Sequence, residues 1–254
     1  MLSLEEYEKL NPRTEVKRGE VAVTYATPSA MTRWRAESLF EKEPITIEWI
    51  AGFQPGEVLV DVGANVGMYS IWSAKSRQVR VYAFEPEAQN FALLNRNVVL
   101  NGLSGRVSAY CLAISDTAGM SELHLSNLTV GGSCHSLGER VDYKHDPMTP
   151  VYSQGVMAAR LDDLVAAGSV PAPDHIKIDV DGFEPRVIAG ARGQIEGTKL
   201  RSLLIEVNQN LPDHMAMVAE LNARGFRHDP AQAAAAERKD GPFKGCAEYV
   251  FRRS

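Results

Sequence analysis

Cysteine is scarce: Cys111, Cys134 and Cys246 are far apart, odd in number and never spaced as CxxC. That argues against a disulfide framework and against a zinc knuckle. Long apolar runs are missing too, with none near the roughly 18 residues that a membrane-spanning helix needs. The opening stretch, MLSLEEYEKLNPRTEVKRGE, is acidic and lacks the basic-then-apolar order of a secretory leader. A cytoplasmic location with no membrane partner is therefore expected. Positive charge is in deficit, with 27 Lys and Arg against 32 Asp and Glu and no basic cluster. A surface that tracks nucleic-acid phosphates would need the opposite, so no nucleic-acid partner is expected. Disorder is also disfavoured, because 44% hydrophobic and 23% charged residues are ordinary for a globular chain.

What is present is an alternation of strand and helix signals from Val58 onward. EVLVDVG reads as a buried strand closed by glycine, and MYSIWSAKS puts Met68, Ile71 and Trp72 on the inner face of a helix. VRVYAFEP and RVSAYCLAIS read as the second and third strands, around the helix NFALLNRNVVLNG. After an irregular stretch with a possible lid function, RLDDLVAAG, HIKIDVDG, EPRVIAGARGQI and LRSLLIEVN resume the pattern. A helix capped by Asp213 and ended by Gly225 follows, and FRHD and CAEYVFR close the chain as an antiparallel hairpin. Strands separated by helices imply a mostly parallel sheet, whose ligands sit beyond the carboxyl ends of the strands. The expected organisation is an N-terminal helical cap over residues 1–50 and a ligand-binding domain over 51–254. Within that domain, residues 117–157 form an insertion placed to cover a substrate. The alternation in SELHLSNL suits either an exposed hairpin or a homodimer interface.

The strand ends carry the functional signal. In DVGANVG, Gly63 and Gly67 permit positive φ and close approach of backbone to a ligand. Asn65 occupies the place of the middle glycine in GxGxxG, and no lysine follows as in a P-loop, so a pyrophosphate cradle is disfavoured. A ligand ending in one carboxylate and one ammonium needs less bare backbone and suits an acid such as Asp61. Glu85 follows about 20 residues later, at the distance where an acid meets ribose hydroxyls. Together these features point to an adenosine-like ligand with an amino-acid tail, or to NAD.

VLVDVGANVGMYSIWSA, YAFEPEAQNFALLNRNVVLNG, LAISDTAG, LDDL and DHIKIDVDGFEPRVIAGA occur in order between about Glu43 and Val207. In this the chain resembles the FkbM family of S-adenosylmethionine-dependent methyltransferases. The resemblance implies a class I methyltransferase fold: an α/β Rossmann-like sheet of seven strands, mostly parallel, with helices on both faces and a C-terminal antiparallel edge strand. It implies S-adenosylmethionine as cofactor, with Gly63, Asn65 and Gly67 against the methionine part and Glu85 on the ribose. Ala113, Ile114 and Ser115 would pass near the adenine. Two departures stand out, Asp181 where the family often has glutamate and Arg160 where threonine is common.

Transfer of a methyl group to a hydroxyl calls for a base as the C–O bond forms. KIDVDGFE offers Asp179, Asp181 and Glu184 at a strand end, and neighbouring like charges should raise at least one pKa. His135, in GGSCHSL on the insertion, is the alternative base, and Ser133 beside it could position a substrate hydroxyl. Glu206 and Asn208 face the same region as substrate contacts. With Asp181 they make a set of hard oxygen ligands that could hold Mg²⁺. His124 is expected at the surface, and Trp34, Trp49 and Trp72 in helix packing. The expected function is O-methylation of a small-molecule or sugar hydroxyl. The alternatives are a non-catalytic S-adenosylmethionine-binding protein and an NAD-binding oxidoreductase.

Overall fold

The computed structural model describes residues 2–254. Thirteen strands are described: β1 Arg13–Arg18, β2 Val21–Ala26, β3 Val58–Val62, β4 Arg80–Phe84, β5 Val107–Tyr110, β6 Ala113–Ile114, β7 Gly119–Leu125, β8 Ser136–Leu137, β9 Tyr152–Ala159, β10 His175–Ile178, β11 Ser202–Asn208, β12 Phe226–His228 and β13 Cys246–Arg253. Seven of them form the central sheet in the order β12-β13-β11-β10-β3-β4-β5. All neighbours pair in parallel except β13, which runs against both β11 and β12. The closing hairpin thus borders the sheet as expected, with the C-terminal strand inside it and the three-residue β12 outermost. The longer, six-residue-buried β13 takes the inner place, where both of its edges are paired.

Burial explains why β3 and β10 lie at the centre. Every residue of VLVDV and of HIKI is buried, which only a strand covered on both faces tolerates. Side-chain alternation then divides the core in two. Leu59, Val81 and Leu204 join Ile50, Ile71 and Leu94 on one face. Val60, Ile176 and Ile205 join Val187, Met217 and Leu221 on the other. The register also sets a buried acid and a buried lysine side by side, Asp61 opposite Lys177.

Three expectations are corrected. The first 50 residues are not all helical: β1 and β2 form a six-pair antiparallel hairpin before the helices Ala30–Glu37 and Pro44–Ala51. VAVTYA alternates partly covered and buried positions, a strand rhythm, and Pro44 separates the two helices by starting the second. RVSAYCLAIS is two strands in different sheets, since the chain turns where Leu112 N–H donates to Tyr110 C=O. β6 instead pairs with β9, opening a four-stranded sheet in the order β6-β9-β7-β8 that takes in the strands of the insertion. Asp213 lies within the first turn of the helix Pro212–Ala223 rather than at its cap, which is Leu211. No helix among the described residues is long and apolar enough to cross a membrane.

Candidate active site

A cavity of about 500 Å³ opens at the carboxyl ends of β3, β4, β10 and β11. Its floor is the turn after β3. There the N–H groups of Gly63 and Ala64 both donate to Phe84 C=O, each at 3.0 Å, tying the turn to β4. Gly63 has φ +78°, and a Cβ at this position would lie 1.8 Å from Asp179 C=O. The glycine is required because two strand exits are pressed together here. Gly67, at φ +84°, faces Leu94 rather than the cavity, so its role is to start the helix Met68–Arg77.

Asn65 stands between them in the left-handed region at φ +50°. Its N–H donates to Glu85 Oε2 at 2.7 Å, and its Nδ2 donates to Gly132 C=O at 2.7 Å. Glu85 also accepts from Glu87 N–H at 2.9 Å. Burial pushes its pKa up to about 7, against the pull of those two backbone donors. Gly63, Asn65, Glu85, Ala113, Ile114 and Ser115 all line the cavity, as the sequence leads one to expect of a nucleoside site. Asp61 sits lower, on a side pocket of about 30 Å³. One of its oxygens takes the Ser70 hydroxyl at 2.5 Å, while Oδ1, although buried, has no partner among the described residues.

The acids beyond β10 and β11 form the opposite wall. Carboxylate oxygens of Asp179, Asp181 and Glu206 come within 4.8 Å of one another. Cations separate their behaviour. Burial would raise Asp179, but Lys177, donating to it at 3.0 Å, and Lys42 nearby hold it below the usual carboxylate range. Burial and the Asp179 charge push Asp181 up. The same two causes push Glu206 up to about 8 despite Arg238, which donates to it at 2.5 Å. The expected raising of at least one acid by like charge thus falls on Asp181 and Glu206, and Asp179 escapes it through Lys177.

The insertion supplies the roof. Residues 129–134 form a strap whose backbone is gripped from every side. Asn90 Oδ1 accepts from Gly131 N–H at 2.7 Å, and Gly132 C=O accepts from both Asn65 and Asn90. Ser29 Oγ donates to Val130 C=O at 2.7 Å, and Arg35 Nε donates to Gly131 C=O at 2.6 Å. Cys134, at φ +64°, donates its N–H to Asp181 Oδ2 at 2.7 Å. Asp181 itself is held at φ +54°, so two residues in the left-handed region are bonded to each other at the cavity wall. Ser133 and His135 line the cavity as well, and burial lowers the His135 pKa so that the ring is neutral at pH 7.

Besides Gly67 and Asp61, two expected site residues lie outside the main cavity. Glu184 does not line the cavity. It is fully buried and accepts the N–H groups of Val180 and Gly182 at 2.9 and 3.1 Å, fixing the DVDG turn from beneath, with His214 3.4 Å away. The following residue, Pro185, sits in the first turn of the helix that Glu184 begins. Asn208 is buried and does not line the cavity, its Oδ1 accepting from Asn210, and the acid clustered with Asp181 and Glu206 is Asp179. His124 is buried rather than at the surface, bonded to Ser153 at 2.7 Å. Conversely, Trp34 is 47% exposed and lines the cavity with Arg35, both from the N-terminal helix. Lys177 was legible in principle, since Lys and Asp two apart on a strand share a face. Trp34 and Arg35 carry no such local signal.

The Methyltransferase FkbM domain profile matches residues 61–228. The chain is 30% identical over 194 residues to the 31-O-demethyl-FK506 methyltransferase FkbM of Streptomyces tacrolimicus, covering 68% of this chain and 74% of that protein. It is 25% identical over 191 residues to the hexuronic acid methyltransferase AglP of Haloferax volcanii, covering 74% and 71%. Among solved structures it resembles a precorrin-6y C5,15-methyltransferase from Geobacter metallireducens, with a TM-score of 0.51 at 12% identity over 91% and 94% of the two chains. The magnesium protoporphyrin IX methyltransferase of Synechocystis PCC 6803 matches at a TM-score of 0.50 and 12% identity, over 90% and 86%. Those two likenesses concern the fold alone. With the sequence match covering most of the cavity's residues, the chain belongs to the FkbM family of S-adenosylmethionine-dependent methyltransferases.

Proposed function

We propose that the chain methylates a hydroxyl of a small molecule or sugar, with Asp181 as the base. The observation that carries this reading is the Asp181 carboxylate, set at the cavity wall by Cys134 N–H and raised in pKa by burial and by Asp179. A raised carboxylate is a stronger acceptor for a hydroxyl proton than an ordinary one. S-adenosylmethionine, when bound, supplies an electrophilic methyl group on a sulfonium and is left as the thioether. As an acceptor hydroxyl is methylated, an Asp181 oxygen would take its proton. The chain otherwise contributes alignment, which is the main service an in-line displacement needs.

The residues present fit the cofactor. Glu85 would offer a strand-end carboxylate to ribose hydroxyls, Ala113–Ser115 line the cavity where they would flank the adenine, and Asp61 has a buried oxygen awaiting a donor. They fit a divalent metal poorly. Asp179 is paired with Lys177 and Glu206 with Arg238, so two of the three clustered acids already hold cations. The reading is therefore metal-free, and turnover is expected to survive exhaustive EDTA treatment unchanged. Two relatives are named for a demethyl natural product and a hexuronic acid, which favours oxygen acceptors.

Methyl-¹³C S-adenosylmethionine, incubated with a panel of hydroxylated sugars and polyketides, tests the acceptor atom by NMR. The expected product carries a methoxy carbon. Label arriving on nitrogen or carbon instead would refute the hydroxyl reading.

A further inference from the structure

The side pocket below the main cavity is too small for a substrate, yet it is built from charge. It shares Arg35, Lys42, Gly63, Asn65 and Asp179 with the cavity and adds Asp61 and Lys177. Its volume of about 30 Å³ is room for one ammonium group or one water. Asp61 is 1% exposed, and its Oδ1 is a buried acceptor with no partner among the described residues, which is costly unless something donates to it. The three cations on this wall are not equivalent. Lys42 is paired with Glu43 at 2.6 Å and Lys177 with Asp179 at 3.0 Å. Among the described residues, Arg35 has no carboxylate within salt-bridge distance. Its one hydrogen bond runs from Nε to Gly131 C=O, which fixes the plane of the guanidinium and leaves both terminal nitrogens open.

An orphaned carboxylate oxygen and an open guanidinium on one wall are the two complements of a zwitterion. From this juxtaposition we infer that Arg35 reads the carboxylate of the cofactor's methionine tail, beside the Asp61 acid that the sequence already sets against its ammonium. The inference rests on the S-adenosylmethionine reading of the main cavity and assigns a specificity residue from outside the matched domain, since the family profile begins at residue 61. A planar fork suits a carboxylate bidentately, and the pre-set orientation reduces the ordering cost of binding. A carboxylate on the acceptor is the other source of the same chemistry, and the ligand series below separates the two.

Calorimetry with S-adenosylhomocysteine, 5′-methylthioadenosine, which lacks the whole amino acid, and decarboxylated S-adenosylmethionine, which keeps the amine alone, tests the assignment. The wild-type chain is expected to bind the decarboxylated compound at least tenfold more weakly than S-adenosylmethionine. Arg35→Gln is expected to weaken S-adenosylhomocysteine about tenfold and leave the other two within twofold. Asp61→Asn is expected to weaken S-adenosylhomocysteine and the decarboxylated compound but not 5′-methylthioadenosine. Equal binding of S-adenosylmethionine and its decarboxylated form by the wild type overturns the assignment without needing any variant to fold. An Arg35→Gln effect that is equal across the three ligands, or absent, overturns it as well and hands Arg35 to the acceptor or to the strap. Wild-type binding of none of the compounds refutes the underlying cofactor reading, whereas binding of 5′-methylthioadenosine with either failure above leaves that reading standing and rejects only the zwitterion pair.

Discussion

Gly63 and Glu85 show how much a single position can decide. Alanine at Gly63 would have to occupy a left-handed conformation and set its Cβ 1.8 Å from Asp179 C=O, a clash with backbone that nothing can absorb by rotating. Gly63→Ala is expected to cost about 3 kcal/mol or more, read as a lowered midpoint in denaturant. Glu85 makes a pH prediction. On the proposed reading ribose hydroxyls donate to the ionised carboxylate, whereas the free group is raised to about 7 and is largely protonated below that. Affinity for S-adenosylhomocysteine is thus full above pH 7 and falls as pH drops through it, by about tenfold between pH 8 and pH 6. Glu85→Gln should flatten that slope in calorimetry, and an unchanged slope would move the titrating group elsewhere. Both residues are legible in the sequence because their reasons are local: a glycine at a strand-to-helix turn, and an acid at the end of the next strand. Arg35 and Trp34 are not legible, because their meaning depends on a helix more than 20 residues upstream folding over the turn.

At the scale of elements, the helix Ala88–Leu100 does more than cover the sheet. Asn97 accepts from Ala26 N–H and donates to Val66 C=O, both at 2.8 Å, and Asn101 exchanges two bonds with Thr24. The free edge of β2 is therefore satisfied by side-chain amides, and the N-terminal hairpin is anchored to the same helix whose first turn holds Asn90 against the strap. Asn97→Ala leaves a buried N–H and a buried C=O unpaired, and about 2–4 kcal/mol of destabilisation is expected. Hydrogen exchange at Ala26 should accelerate with it; protection equal to the wild type would show that the amide is dispensable. The apolar stripe of this helix can be read from its sequence, but NRNVVLN alone does not reveal that its amides serve another element. The split of RVSAYCLAIS into β5 and β6 was hidden for a related reason. Both halves have strand composition, and only tertiary pairing with β9 assigns the second half to another sheet.

At the scale of the whole molecule, two of the three sheets meet at the cavity, the main sheet supplying its floor and the acids, and the insertion supplying the roof. That division accounts for what the sequence conveys. The parallel sheet repeats strand, turn and helix, so its order and ligand edge are readable from periodicity. The roof is a run of turns whose geometry depends on Asn65, Asn90, Arg35 and Asp181, four residues spread over the chain. Asp181 joins the two halves, rising from the floor and held by the roof. The most direct test of the account is therefore Asp181→Asn, measured as kcat for methyl transfer alongside Kd for S-adenosylhomocysteine. Loss of the base predicts a fall in kcat of about 10² or more with cofactor Kd changed by less than threefold. A variant that turns over at the wild-type rate, or one that loses cofactor binding in proportion to activity, would contradict it.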